Sequence, residues 1–300
     1  MNGADAVNAK DDVTKGSGLL GDLGELSKAR LSLLVLLTTL VGFLAGWHGP
    51  MDWTLLAATL VGTALSAAGA SALNQWIERD LDALMPRTAD RPLPARRMHP
   101  SDALLFGLLC CASGVAILAL LANAITALLS FLTIIIYALA YTPMKRVSEL
   151  NTLVGAVPGA LPPLLGWTAA TGQASLGGWI LFLILWFWQM PHFLGIAWMY
   201  KDQYALAGFK MITLRDPEGW ATAWQSLIYS AGLLAVSLLP GLFGMASPAY
   251  FLAALAFGVG MLFLAGDLVR TRSLASARRL FFASLVYLPL LLGSLLLFRR

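Results

Sequence analysis

Charge is scarce in this chain. Asp, Glu, Lys and Arg make up 12% of 300 residues while 58% are hydrophobic, about half the charged share of an ordinary soluble domain, which excludes a water-soluble enzyme. Cysteine is nearly absent as well. Cys110 and Cys111 are adjacent inside an apolar run, with no heme-attachment spacing and no distant partner, so disulfides and structural zinc are not expected. Stretches such as 31–37 and 290–297 lack the polar/apolar alternation over about ten residues that a membrane barrel needs. Residues 1–18 are polar and slightly acidic, with neither the basic-then-apolar order of a signal peptide nor the Arg-rich, acid-poor character of a mitochondrial transit peptide. They read as a disordered cytoplasmic tail before a single transmembrane domain over 19–300, in a bacterial inner membrane.

What the chain has in abundance is apolar runs of roughly 17 to 25 residues, the length that crosses a hydrocarbon core. The expected spans are 31–47, 55–76, 103–121, 125–141, 153–170, 179–198, 221–242, 250–265 and 280–297, giving an all-α membrane protein of about nine helices around a central cavity. Ahead of them, Leu19, Leu20, Leu23 and Leu26 alternate with Asp22, Glu25 and Lys28, a short amphipathic stretch suited to a membrane surface. With the N-terminus cytoplasmic, nearly every basic residue falls in a cytoplasmic loop, leaving only Arg299 and Arg300 outside, as positive-inside topology demands. Topology and anionic lipid therefore account for the basic surplus without nucleic acid.

Topology does not call for carboxylates, yet nearly all of them gather on that same side, Asp52 excepted. Glu78, Asp80, Asp82 and Asp90 follow the second span; Asp202, Asp216 and Glu218 follow the sixth. Two mixed-charge loops entered from even-numbered helices open on one side, where they could share one mouth. Four-residue spacing puts Asn74, Glu78 and Asp82 on one helix face, with Asp80 pointing elsewhere. Stacked oxygen ligands at a water-facing helix end suit Mg²⁺, which takes carboxylates plus phosphate oxygens. The competing reading is a solvated helix end laced with Glu78–Arg79 pairs. The loop that follows, 85–94, carries Arg87 and Arg91 among prolines and suits a diphosphate gripped bidentately. Lys145 and Arg146 close the fourth span on the same side.

The order Asn74, Glu78, Asp82, Arg87-Thr88, Arg91-Pro92-Leu93-Pro94 resembles the Asn-x-x-x-Asp-x-x-x-Asp signature of the UbiA intramembrane prenyltransferases, in the form seen in heme O synthases. The likeness includes Lys28 and Arg30 ahead of Leu37-Thr38-Thr39, Tyr141-Thr142 with Lys145-Arg146, Asn151 with Gly155, Pro162-Pro163 with Gly166-Trp167, Trp188-Gln189-Met190-Pro191-His192-Phe193, Lys201-Asp202-Gln203-Tyr204 and Ala207-Gly208. Beyond Gly208 it is mainly hydropathy. Two departures stand out: Glu78 replaces the usual Asp, and Gln203 stands where an acid often precedes the Tyr, leaving Asp202 as the carboxylate of a second metal site.

The resemblance implies that Asn74, Glu78, Asp82 and Asp202 hold Mg²⁺, and that Arg87, Arg91, Lys145, Arg146 and Lys28 bind the diphosphate of farnesyl diphosphate. It implies that the farnesyl group passes to a vinyl group of heme B, giving heme O, with His192, Gln189 and Trp188 at the acceptor. Handover to a heme A synthase or a terminal oxidase would follow. Trp76, Tyr141, Trp188 or Phe193 would face the allylic cation. A histidine inside a span is costly enough to suggest a role, and imidazole is a common heme ligand; alternatively His192 bonds a carbonyl freed by Pro191. Gly155, Gly159, Pro162 and Pro163 read as packing and kink residues. Competing readings are a prenyltransferase for an aromatic or quinone-precursor acceptor, an ion-coupled transporter with acids near the midplane, and a structural assembly subunit.

Overall fold

With no water to satisfy backbone groups in hydrocarbon, apolar runs of this length have to form helices, and helices are what the structure contains. The computed structural model describes residues 18–300, except for the side chain of Arg30; the tail expected over 1–18 lies almost wholly outside the described residues. Among the described residues eight helices are long and apolar enough to cross a bilayer: α3 (Trp53–Asp82), α4 (Pro100–Leu121), α5 (Ala124–Ile135) with its continuation to Met144, α7 (Asn151–Thr171), α8 (Leu176–Met199), α11 (Trp220–Leu242), α12 (Pro248–Thr271) and α13 (Leu274–Leu297), the short α9 (Lys201–Leu206) and α10 (Ile212–Arg215) lying between α8 and α11. A ninth is made by a bent pair, α1 (Leu19–Leu26) and α2 (Ala29–Gly46), which meet at 56°. Eight of the nine expected spans are thus present as single helices, and the first, 31–47, falls on α2, which reaches spanning length only together with the short helix α1 expected ahead of it. Among the described residues the only β pairing is an isolated bridge between Ala246 and Arg299.

Local chemistry sets the helix ends. Asp52, the one acid on the far side, caps α3 by accepting from the Leu55 amide at 2.9 Å, and Asn123 does the same for α5 through Thr126. Ser273 and Ser276 form a capping box on α13. Lys28 takes a left-handed backbone conformation (φ 48°) where α1 turns into α2. At 30 residues α3 is longer than a bilayer requires, so its last turns, carrying Glu78 and Asp82, extend beyond the expected span end at Trp76, with Asn74 just inside it.

The fourth span departs from a regular α-helix. Between α5 and the short α6 (Thr142–Met144), residues Ile136–Tyr141 form a π-helical turn. Pro143 has no N–H to continue the regular ladder, and both the amide and the hydroxyl of Thr142 turn to the Tyr137 carbonyl, the hydroxyl at 2.8 Å. Such turns cluster at functional sites.

Helices α3 with α4, α2 with α7, α11 with α12, α7 with α8, and α8 with α11 and α13 form the main pairings. α2 and α7 touch backbone to backbone: a Cβ on Gly42 would meet the Pro163 carbonyl and one on Gly166 the Thr39 carbonyl, each at 1.9 Å. Cys111 packs against Gly69, and both cysteines are free, as small apolar filler should be. Among these helices lies a cavity of about 310 Å³, lined from α2, α3, α5, the π turn, α7, α8 and α13.

Candidate active site

At the polar end of α3, Asn74, Glu78 and Asp82 are all buried, stacked one turn apart as their spacing requires. Asn74 Nδ2 donates to Glu78 Oε2 and to Thr142 Oγ1, both at 3.0 Å. Lys145 Nζ meets Glu78 Oε1 at 2.7 Å, and Arg91 Nη1 meets Asp82 Oδ2 at 2.7 Å. Lys28 Nζ reaches Asn74 Oδ1 at 2.7 Å and Tyr137 Oη at 3.4 Å. The alternative of a solvated helix end fails here: Glu78 is 4% exposed and pairs with Lys145, while Arg79 turns to Asp80, whose side chain is 86% exposed.

The charges are balanced unevenly. Burial, followed by the nearby Arg91 and Lys145, pulls the Lys28 ammonium down to about 7 against the pull of Glu78 and Asp82. Burial also opposes the charge on Lys145, but Tyr141 and the Glu78 carboxylate outweigh it and hold that ammonium above the ordinary lysine range. Three partly buried basic side chains, Lys28, Arg91 and Lys145, stand beside two buried carboxylates, an arrangement that favours a polyanion at this mouth.

The two polar loops do meet. Met85 packs with Ala207 and Phe209 in one apolar cluster, and the Arg87 guanidinium lies 5.2 Å from the Tyr200 ring and 5.8 Å from Tyr204. The Lys210 amide donates to the Lys145 carbonyl, and Asn151 Nδ2 donates to the Lys210 carbonyl, both at 2.6 Å. Not every expected residue joins. Asp202 is exposed and shares no hydrogen bond or ion pair with the acids of α3, and Arg146 is exposed without a side-chain partner among the described residues. Trp76 does not line the cavity: it packs against α1 and carries Arg79 over its ring at 5.3 Å. Tyr141, Trp188 and Phe193 do line it.

Deeper in the same cavity, Gln189 donates both amide hydrogens to backbone carbonyls, of Ala156 (3.1 Å) and Leu185 (3.0 Å), which leaves Oε1 without a partner among the described residues. Gly159 makes room for that oxygen, since a Cβ there would sit 2.0 Å from it; Gly155 makes the same room for the Tyr141 ring. These two glycines therefore shape the cavity wall. His192 Nδ1 lies 2.8 Å from Ser284 Oγ on α13 rather than on a carbonyl freed by Pro191, and Trp188 Nε1 donates to the Ser284 carbonyl at 2.7 Å.

Oxygen donors at the mouth suit Mg²⁺. Among the described residues Asp82 Oδ1 has no hydrogen-bond partner and Gln203 Oε1 is buried without one. Among those residues no three His, Cys, Asp or Glu side chains form a ready-made cage. That fits a metal held by one or two carboxylates and completed by substrate phosphates. Sequence reasoning missed Tyr137, Gln75, which fixes α1 through the Leu26 carbonyl at 2.8 Å, and Ser284. Nothing local marks Ser284, one of several hydroxyls in an apolar helix that also carries Ser276, Tyr287 and Ser294.

A charged mouth over a deep apolar cavity, inside a membrane-spanning helical bundle, defines an enzyme for amphiphilic substrates with a charged head and an apolar body. The model of the UbiA prenyltransferase family matches residues 35–286, and the chain belongs to that family. It is 46% identical over 280 residues to the protoheme IX farnesyltransferase of Opitutus terrae, covering 93% of this chain and 94% of that one. It is 42% identical over 287 residues to the protein of the same name from Solibacter usitatus, covering 93% and 98%. The solved structure of a UbiA homolog from Archaeoglobus fulgidus bound to GPP and Mg2+ superposes with a TM-score of 0.70 at 17% identity, covering 91% of this chain and 99% of that one. At that identity the likeness is one of fold.

Proposed function

We propose that this protein transfers the farnesyl group of farnesyl diphosphate to a vinyl side chain of protoheme IX (heme B), releasing diphosphate, and that one water then adds to the alkylated vinyl carbon and loses a proton to give the hydroxyethylfarnesyl group of heme O. The observation that carries the reading is the joining of one cation-rich mouth to one apolar cavity. Tyr137 and Tyr141, which contact Lys28 and Lys145, line the same cavity as Gln189 and His192. The naming of relatives at 42% identity and above supports the acceptor.

The diphosphate sits among Lys28, Arg91 and Lys145, with Arg87 bracing the two loops, and Asn74, Glu78 and Asp82 are the residues that would hold Mg²⁺. When bound, the metal neutralises the diphosphate as its bond to carbon breaks. Asp202 and Arg146 take part only if the loop after α8 closes inward on substrate. Arg91 and Lys145 exchange their carboxylate partners for phosphate oxygens and share the developing charge. The farnesyl chain lies in the apolar cavity, where Tyr141, Trp188 and Phe193 exclude water and present ring faces to the allylic cation. Gln189 and His192 face the heme. No Asp or Glu lines the cavity, which argues against ion-coupled transport. We place the mouth on the cytoplasmic side of a bacterial inner membrane, as the loop charges favour, with heme O then passing to a heme-using partner.

The test is turnover of the purified protein in nanodiscs with heme B, farnesyl diphosphate and Mg²⁺, read as heme O by mass spectrometry. Product that vanishes with a chelator, and falls by about a hundredfold or more in Asp82→Ala, is the expected result. A folded wild-type protein that makes no heme O overturns the acceptor assignment.

A further inference from the structure

Ser284 Oγ has one proton, and it goes to the Phe281 carbonyl at 2.6 Å. Toward His192 Nδ1, 2.8 Å away, the hydroxyl can therefore only accept. With the Ser284 proton so placed, His192 is assigned the Nδ1–H tautomer, which leaves Nε2 as a lone pair without a partner among the described residues, on a side chain that lines the cavity. The ring is clamped on both faces: Trp188 stacks at 4.9 Å and 22°, Phe281 at 4.8 Å and 29°. Trp188 is itself held by the Ser284 carbonyl. One serine thus sets the proton of the imidazole through its hydroxyl and one wall of its clamp through its backbone.

We infer that His192 Nε2 is an axial ligand to the iron of the heme acceptor, and that Ser284 is the positioning residue that directs this lone pair into the cavity. Metal-bound imidazoles characteristically donate their other N–H to an oxygen that fixes tautomer and ring plane, which is the role Ser284 fills. A coordinate bond from a neutral imidazole moves no proton. A proton-accepting role, by contrast, would create an imidazolium in an apolar cavity that no carboxylate lines. Ligation would hold the heme at a set depth, presenting one edge toward the mouth.

This inference rests on heme B being the acceptor, and the test separates the two. Ferric heme B is titrated into the full-length protein in nanodiscs, with binding measured by filtration, ligation by optical absorption and electron paramagnetic resonance, and turnover measured in parallel. The wild type should give a histidine-ligated spectrum that is lost in His192→Ala and restored by added imidazole, a rescue that also shows the variant is folded. Ser284→Ala should weaken heme binding about 10- to 100-fold, whereas Ser284→Thr, which keeps the hydroxyl, should stay near wild type. Identical spectra for wild type and His192→Ala, with heme bound and heme O formed, overturn ligation and leave the acceptor assignment standing. Unchanged binding in Ser284→Ala overturns the positioning role. A wild type that neither binds heme nor makes heme O overturns both.

Discussion

Glu78 and Lys145 show how much one pair of side chains carries at the mouth. Both are largely buried and 2.7 Å apart, and removing one partner of a buried pair leaves the other charge uncompensated, at a cost of about 3–5 kcal/mol. Lys145→Met should therefore lower the unfolding midpoint in detergent markedly, and adding Glu78→Gln should recover much of that stability without recovering turnover. A double variant as unstable as the single would show that the pair is not coupled. At Gly159 the contact is steric rather than electrostatic. An added Cβ would lie 2.0 Å from Gln189 Oε1, and overpacking of this kind costs about 1–3 kcal/mol. Gly159→Ala should raise KM for heme B while leaving KM for farnesyl diphosphate near wild type, as steady-state kinetics with each substrate varied will report.

Helix α1 ties the mouth together at the scale of an element. Gln75 of α3 donates to the Glu25 and Leu26 carbonyls, and Arg97 from the loop after α3 pairs with Asp22 at 2.8 Å and with Glu25. Together these contacts hold the helix, and Lys28 behind it, over the end of α3. Arg97→Ala should increase hydrogen exchange across 19–28 and reduce turnover several-fold, with a stability loss within the roughly 1 kcal/mol that partly exposed pairs contribute. Unchanged exchange would show that Gln75 and apolar packing hold α1 alone. The π turn was not legible beforehand, because Ile136–Tyr141 reads as an ordinary apolar helix; Pro143 was its one visible cause. α1, by contrast, was legible from four leucines at helical spacing.

For the molecule as a whole, the two loops meeting around Met85 and Phe209 put both polar connections on one side of the bilayer. Single cysteines in a background lacking Cys110 and Cys111 should bear this out in intact cells and inverted vesicles. Ala95→Cys and Glu218→Cys should react with an impermeant maleimide only from the cytoplasmic side, and Gln173→Cys only from the other. Labelling of 95 and 218 from opposite sides would break the shared mouth. Large apolar side chains that stay exposed in the fold, such as Leu105, Leu120 and Phe263, belong against lipid, which is why hydropathy alone located their helices.

The all-helical membrane fold, eight of the nine spans and the face bearing Asn74, Glu78 and Asp82 were legible in the sequence, while the first span takes shape only as the bent pair of α1 and α2. Apolar length and four-residue spacing are local properties, and the bilayer leaves a long apolar segment no alternative to a helix. Only the tertiary structure decided which cation meets which acid, that Arg79 turns away from Glu78, that Trp76 is spent on α1, and that Asp202 and Arg146 stay outside the cluster. It alone decided that Ser284, 92 positions from His192, sets that imidazole. These outcomes depend on contacts between distant segments, set by how glycine-bearing helices such as α2 and α7 close on each other, and no periodicity within one helix encodes its neighbour.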